Sequence, residues 1–403
     1  MTEIRALKPS TRILVVVILC ALMGSIACSG VSNNPNTGAS SSNHSSSSPA
    51  QYMYVGNGSA SIAGFQINND GTLTPLANFP ITTPVTAGDF SAAKHTLLVG
   101  GSSSGAQATV QLELFDIAPA TGALTFESST IAPIWSAVLD PTAQFVYLPG
   151  GVSTNNTFLT VYGYAVSTGN FTPVPGSPYS LALGNGSNAL IGQGVQVDPS
   201  GKFVYISAMP EEEHTPSPWS GVAAINADGS LSNFTPEPVG CISAADTAVV
   251  PQSVGTLVFS SCIDQWSGDY WISAGLINES TGVMTDLGPA WQDPSNTKEI
   301  TALAADPSGK WLAGLDPKNN VVHIMAISSN GSLTDAADHT VPAGSQPNAL
   351  SFDKTGRFLY IVNNGSNDMS GFVFDSKTGL VTPIAGSPFP MPQTPGVLVI
   401  AQP

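Results

Sequence analysis

The run Glu211-Glu212-Glu213-His214 sets three carboxylates beside an imidazole, and Trp219 follows after the four residues Thr-Pro-Ser-Pro. Oxygen and nitrogen donors of this kind could hold a divalent cation, and Glu212 or His214 could take a proton from water as general base. A solvated acidic loop is the plainer account of the same residues. A second group, Asp264, Trp266, Asp269, Tyr270 and Trp271, mixes carboxylates with indole and phenol rings. Such a mixture suits a sugar or a cation. An aromatic loop packed on its neighbour is the alternative. Glu212 and His214 are therefore the candidates for catalysis. Glu211, Glu213, Trp219, Asp264, Trp266, Asp269 and Trp271 are the candidates for ligand binding. No cofactor is expected beyond a divalent cation held by these residues.

No further spacing points to chemistry. The sequence has no His-Glu-x-x-His, no phosphate loop and no cysteine pair at zinc spacing. The histidines are scattered, and His323, alone in a strand-like run, reads as a core or rim residue. Cys241 and Cys262 flank the turn Pro251 to Gly255, so they are expected to meet at one end of a hairpin. In an exported protein that favours a disulfide, with two buried free thiols as the alternative.

Export is expected from the N-terminus. Arg5, Lys8 and Arg12 precede the apolar run Ile13 to Met23, and small residues follow. This is the pattern of a secretory signal, and the run is short for a membrane span. Ser25-Ile26-Ala27-Cys28 resembles a bacterial lipobox, whose cysteine is diacylated and becomes the new N-terminus. Ordinary cleavage or an uncleaved anchor would also fit. The serine-rich stretch before residue 51 reads as a flexible tether. The expected organisation is a signal peptide over 1–27, lipidated Cys28 and tether over 28–50, and a folded domain over 51–403. The expected location is the bacterial cell envelope or periplasm.

The chain carries 11 Lys+Arg against 27 Asp+Glu. Three basic residues and one acidic residue precede Cys28, which leaves 8 against 26, a net charge of −18. Such a chain repels a phosphate backbone, so nucleic acid is not an expected partner. Apolar residues make up 42% and charged ones only 9%. That composition buries a large core but cannot clothe long amphipathic helices.

The elements that must position the candidate residues are repeats. Asp140-Pro-Thr-Ala-Gln-Phe145, Asp198-Pro-Ser-Gly-Lys-Phe203, Asp306-Pro-Ser-Gly-Lys-Trp311 and Asp353-Lys-Thr-Gly-Arg-Phe358 are one turn written four times. Pro fixes φ, Asp bonds back to the backbone and Gly accepts φ > 0. A second turn is marked by Gly71, Gly122, Gly169, Gly229, Gly282, Gly331 and Gly379. Their spacing fits the four-stranded blades of a propeller. There are seven second hairpins but six first strands, and the chain ends in an orphan strand, Gly396 to Ala401. The expected fold is all-β, a seven-bladed β-propeller whose C-terminal strand completes the first blade. Loops between second and third strands, and between blades, should share one face, which would hold the ligand site.

Phe358-Leu-Tyr-Ile-Val-Asn-Asn364, Ser376-Lys-Thr-Gly-Leu-Val-Thr-Pro383 and the tails Gly176-Ser-Pro-Tyr179 and Gly386-Ser-Pro-Phe389 carry a resemblance. Over residues 51–401 the chain resembles the lactonase-type propellers, the family of 6-phosphogluconolactonase of that fold and the YVTN-repeat proteins. The resemblance implies basic residues near the starts of inner strands to hold an acidic substrate. Here Ser345-Gln-Pro-Asn348 stands where that family has a Gly-Pro-Arg-His run. Two readings follow. One is a monomeric envelope propeller that binds a small molecule or protein through its loop-rich face and touches the membrane only through its anchor. The other is a lactone hydrolase with an altered site.

Overall fold

The computed structural model describes residues 49–403 apart from 104–109, 135, 151–157, 183–189, 211–219, 238–243, 254, 264–268, 294, 296 and 393. These residues form seven antiparallel sheets, and no helix occurs among them. In six sheets the four main strands follow chain order from the ring centre outward, as in blade 7: Pro347–Phe352, Phe358–Asn363, Asp368–Phe374 and Val381–Pro383. Blade 1 differs. Its inner strand is the C-terminal Pro395–Ala401, paired antiparallel with Gln51–Asn57 so that Tyr52 faces Ala401 and Val55 faces Leu398. The orphan strand thus closes the ring as the sequence predicts.

The apolar interior is divided among the seams. Seven clusters of buried side chains each join two neighbouring blades, and the seam between blades 7 and 1 is built like the others. Strand alternation explains this. Leu359 and Ile361 join the cluster shared with blade 6, whereas Phe358, Tyr360 and Val362 join the one shared with blade 1. Both faces of a blade are covered, so its second and third strands read as nearly continuous apolar runs.

The two repeated turns cooperate across the seams. In the first, Asp353 accepts hydrogen bonds from the N–H groups of Thr355, Arg357 and Phe358 at 3.1, 2.7 and 2.8 Å. Asp140, Asp198 and Asp306 repeat the arrangement. In the second, Gly71 sits at φ +84°, and a Cβ there would lie 2.6 Å from the Phe358 ring of the preceding blade. Two residues on, Tyr360 donates its hydroxyl to the Gly71 carbonyl at 2.7 Å. Tyr54 binds Gly122, and Tyr147 binds Gly229, in the same way at 2.7 and 2.8 Å. The Phe-x-Tyr of one repeat and the glycine of the next are therefore two halves of one clasp.

Candidate functional site

Strand direction sorts the loops. Each second strand leaves the clasped turns and ends on the opposite face, where the connections to the third strand and to the next blade emerge. Eight lysine and arginine residues lie after residue 27. Lys94, Lys202, Lys310, Lys354, Arg357 and Lys377 lie in the repeated turns. Only Lys298 and Lys318 lie on the loop face, and each is paired with a carboxylate, Asp335 at 2.6 Å and Glu299 at 2.7 Å.

At the seam between blades 5 and 6 the loop face covers a buried charge cluster. His323 stands in the third strand of blade 6, Val321–Ile327, on the same side as Met325, which packs toward blade 5. Its Nε2 is 3.5 Å from Asp316 Oδ2, and its Nδ1 is 3.4 Å from Asp335 Oδ2. The Thr340 hydroxyl is 3.4 Å from the same Nδ1. His323 is 3% exposed and Asp316 0%. Lys298 donates to Asp335 and sits 5.5 Å from the centre of the Trp291 ring. Asn319 ties the loops together, donating to Asp316 Oδ2 at 2.7 Å and to the Thr297 carbonyl at 2.9 Å. Asp293 shapes the connection by accepting from the N–H groups of Thr297 and Lys298 at 2.7 and 3.0 Å.

Burial by itself would push the His323 pKa down, but Asp316 and Asp335 outweigh it and hold the imidazole above its ordinary value. Burial would likewise raise both carboxyls. Hydrogen bonds from His323 and Asn319 to Asp316, and from His323 and Lys298 to Asp335, bring them below the usual carboxylate range. With the imidazole protonated, the state its raised pKa favours, it forms with the ammonium and two carboxylates a charge-balanced group of four. Both ring nitrogens of His323 face acceptors and almost no surface reaches solvent, so the group clamps the loop over the seam and is not poised to activate water. Tyr270 borders it from blade 5, its hydroxyl pKa raised by burial and by Glu299 and Asp316.

The channel ends of the inner strands are also engaged. Asp89 of blade 2 accepts from the N–H of Ala137 at 3.2 Å, and Asp246 of blade 5 from that of Leu303 at 2.7 Å. Asn348 of blade 7 donates to the Gly396 carbonyl at 2.6 Å. These side chains bridge neighbouring inner strands and hold the ring around its channel.

Of the residues singled out from sequence, Glu211, Glu212, Glu213, His214, Trp219, Asp264, Trp266 and Cys241 lie outside the described residues, as does Cys28. Asp269 is exposed on the loop face. Tyr270 and Trp271 belong to the strand Tyr270–Ile277 and take opposite sides. Trp271 packs against the cluster between blades 4 and 5, beside Cys262, so the two rings do not share one platform. Cys262 is buried and disulfide-bonded. Among the described residues, no group of three or more His, Cys, Asp or Glu is placed to hold a metal ion. Sequence spacing alone does not reveal the clamp at His323. Its signal was a histidine at a seam-facing position of an otherwise apolar strand, Val321-Val322-His323-Ile324-Met325.

The family model described as Lactonase, 7-bladed beta-propeller, matches residues 272–398. A 6-phosphogluconolactonase from Sodalis glossinidius is 28% identical over 91 residues, 23% of this chain and 27% of that protein. One from Cronobacter sakazakii is 21% identical over 191 residues, 46% of this chain and 54% of that protein. The chain thus spans about a quarter and about half of the length of these two relatives. Among solved structures, a candidate 6-phosphogluconolactonase from Bacteroides fragilis superposes with a TM-score of 0.66 at 19% identity, covering 89% of this chain and 100% of that one. The periplasmic gluconolactonase of Pseudomonas aeruginosa gives 0.64 at 18%, covering 88% and 100%. The chain folds as a seven-bladed β-propeller, similar in fold to these solved structures over 89% and 88% of its length and in sequence to the lactonase family model over residues 272–398.

Proposed function

We propose that this protein is an exported, lipid-anchored propeller that binds an uncharged ligand, of the sugar or sugar-lactone class, through its loop face. The carrying observation is the separation of charge: six of the eight cations lie in the repeated turns, and Lys298 and Lys318 on the loop face are paired with carboxylates. A phosphorylated ligand needs an unpaired cation or a bidentate arginine, and Arg357, the one arginine after the signal region, lies in a turn opposite the loop face. A neutral ligand meets no such requirement. The signal-like N-terminus and the periplasmic gluconolactonase with the same fold support the envelope location.

Lactone hydrolysis is the second reading, favoured by the family match over residues 272–398. Ring opening needs a base for water and a stabiliser for the developing oxyanion. Glu212 and His214 remain the candidate base, with a divalent cation as stabiliser. Titration calorimetry and turnover assays with gluconolactone and 6-phosphogluconolactone, each with and without chelator, separate the readings. Binding of the neutral lactone without turnover supports the binder. Chelator-sensitive turnover of the neutral lactone supports the hydrolase. Robust, chelator-insensitive turnover of the phosphorylated lactone, abolished by Glu212→Gln, would overturn the binder and remove the cation from the hydrolase reading. Palmitate incorporation lost in Cys28→Ala tests the anchor, and equal labelling of the two proteins would refute it.

A further inference from the structure

Glu113 stands in the third strand of blade 2, Val110–Ile117, opposite Val99 of the second strand and Ser129 of the outer strand. Its neighbours alternate between seams: Leu112 and Leu114 join the cluster with blade 3, Phe115 and Ile117 the cluster with blade 1. Glu113 shares the side of Phe115, and its partner Val99 belongs to the blade 1 cluster. It is 0% exposed, and neither carboxylate oxygen has a hydrogen-bond partner.

No cation faces it. The blade 1 strands Gln51–Asn57, Ser61–Ile67, Leu73–Pro75, Ile81–Thr82 and Pro395–Ala401 contain no charged residue. Their titratable groups are Tyr52 and Tyr54, whose hydroxyls donate to the carbonyls of Pro119 and Gly122. Within blade 2, Asp89 reaches toward blade 3 and Glu127 lies against Gly169 of that blade. Asp116 pairs with His95 at the exposed turn, 3.8 Å apart. The segment 104–109, leading into the Glu113 strand, reads Ser-Gly-Ala-Gln-Ala-Thr and carries no charge. An ionised carboxylate here would have neither water nor partner.

We propose that Glu113 makes the seam between blades 1 and 2 a proton-sensitive joint, tight while the carboxyl is neutral and loosened when it ionises. Burial pushes its pKa up to about 7 from an ordinary 4.5. Between these values the folded chain keeps a proton that the unfolded chain has released. Stability therefore falls as pH rises through that window and levels off above it.

Thermal midpoints of wild type and Glu113→Gln, measured from pH 4.5 to 8.5, test the joint. The two curves should converge at the acid end, and the variant should melt a few degrees higher at the alkaline end. Taking the difference at each pH cancels the contribution of His323, which lies in a distant seam. A difference that does not change with pH would overturn the proposal. Should the variant fail to fold, infrared spectra of the wild type at pH 6 carry the test. A protonated-carboxyl band that disappears by pH 8.5 supports it, and the lack of a band that titrates in this range overturns it.

Discussion

The two faces of the ring solve the same problem in different ways. On the turn face, the clasp between an aromatic strand and a left-handed glycine recurs from seam to seam, with Phe358 under Gly71, Tyr52 under Gly122 and Phe145 under Gly229. On the loop face, the seam between blades 5 and 6 is closed by a group that occurs once among the described residues, His323 with Asp316, Asp335 and Lys298. Repeated chemistry joins blades that must all fit one ring. Unrepeated chemistry appears where the ring no longer dictates the residue. That division lets one face vary while the other keeps the blades in register.

The largest effect tests whether the seams act as one ring. Deleting residues 395–403 removes Val397, Leu398, Val399 and Ile400, each 3% exposed or less, and opens two seams at once. Each such side chain contributes about 1.5–3 kcal/mol. We expect aggregation or loss of a cooperative melt, read by calorimetry and size exclusion. A truncated protein that melts like the full chain would show that closure does not hold the ring.

Next comes the clasp itself. Gly71→Ala meets both a φ of +84° and the Phe358 ring, and should cost about 3 kcal/mol. Gly288→Ala has φ +79° but open space around its Cβ, and should cost only about 1 kcal/mol. Equal losses in chemical denaturation would mean that the aromatic contact adds nothing beyond the backbone conformation.

The clamp should be comparable in size but sensitive to pH. His323→Gln leaves two buried carboxylates short of a cation, at a cost of about 3 kcal/mol near pH 6. Because the folded pKa of His323 lies above its ordinary value, its contribution is complete below pH 6.5 and is lost as pH rises through the folded value. The gap between wild type and variant should narrow from pH 6 to pH 9 in denaturant titrations. A gap that widens would reverse the sign of the assignment. Smallest of all is Lys318→Ala. Its pair with Glu299 is solvent-exposed, and thermal unfolding should not detect its loss.

The sequence made the turn face legible because its turns obey local rules. Asp353 and Gly356 need only their own neighbours to fold, so the pattern survives in each copy. The count of strands, six first strands and one spare, then forced the closure seen between Gln51–Asn57 and Pro395–Ala401. The loop face obeyed no such rule. His323 lies only 7 residues from Asp316 and 12 from Asp335, yet a bulge between His323 and Met325 is what brings Asp335 onto the ring. Nothing in the spacing signals that bulge. Proximity in sequence groups Trp271 with Tyr270, but strand alternation sends them to different seams. Glu113 sits in an apolar run and looks like an ordinary strand residue until its seam is known.

The pairing of the first and last strands has a directional consequence. Gln51 begins the second strand of blade 1 on the turn face, where its side chain meets Asp353 and Lys354. The C-terminal strand finishes beside it, and Gln402 reaches the Pro49 carbonyl at 3.4 Å. Pro49 and Gln402 therefore both lie on the underside of the disc. A leash attached ahead of residue 50 would suspend the disc like a lamp from its base, with the variable loops turned away from the point of attachment and toward whatever diffuses past.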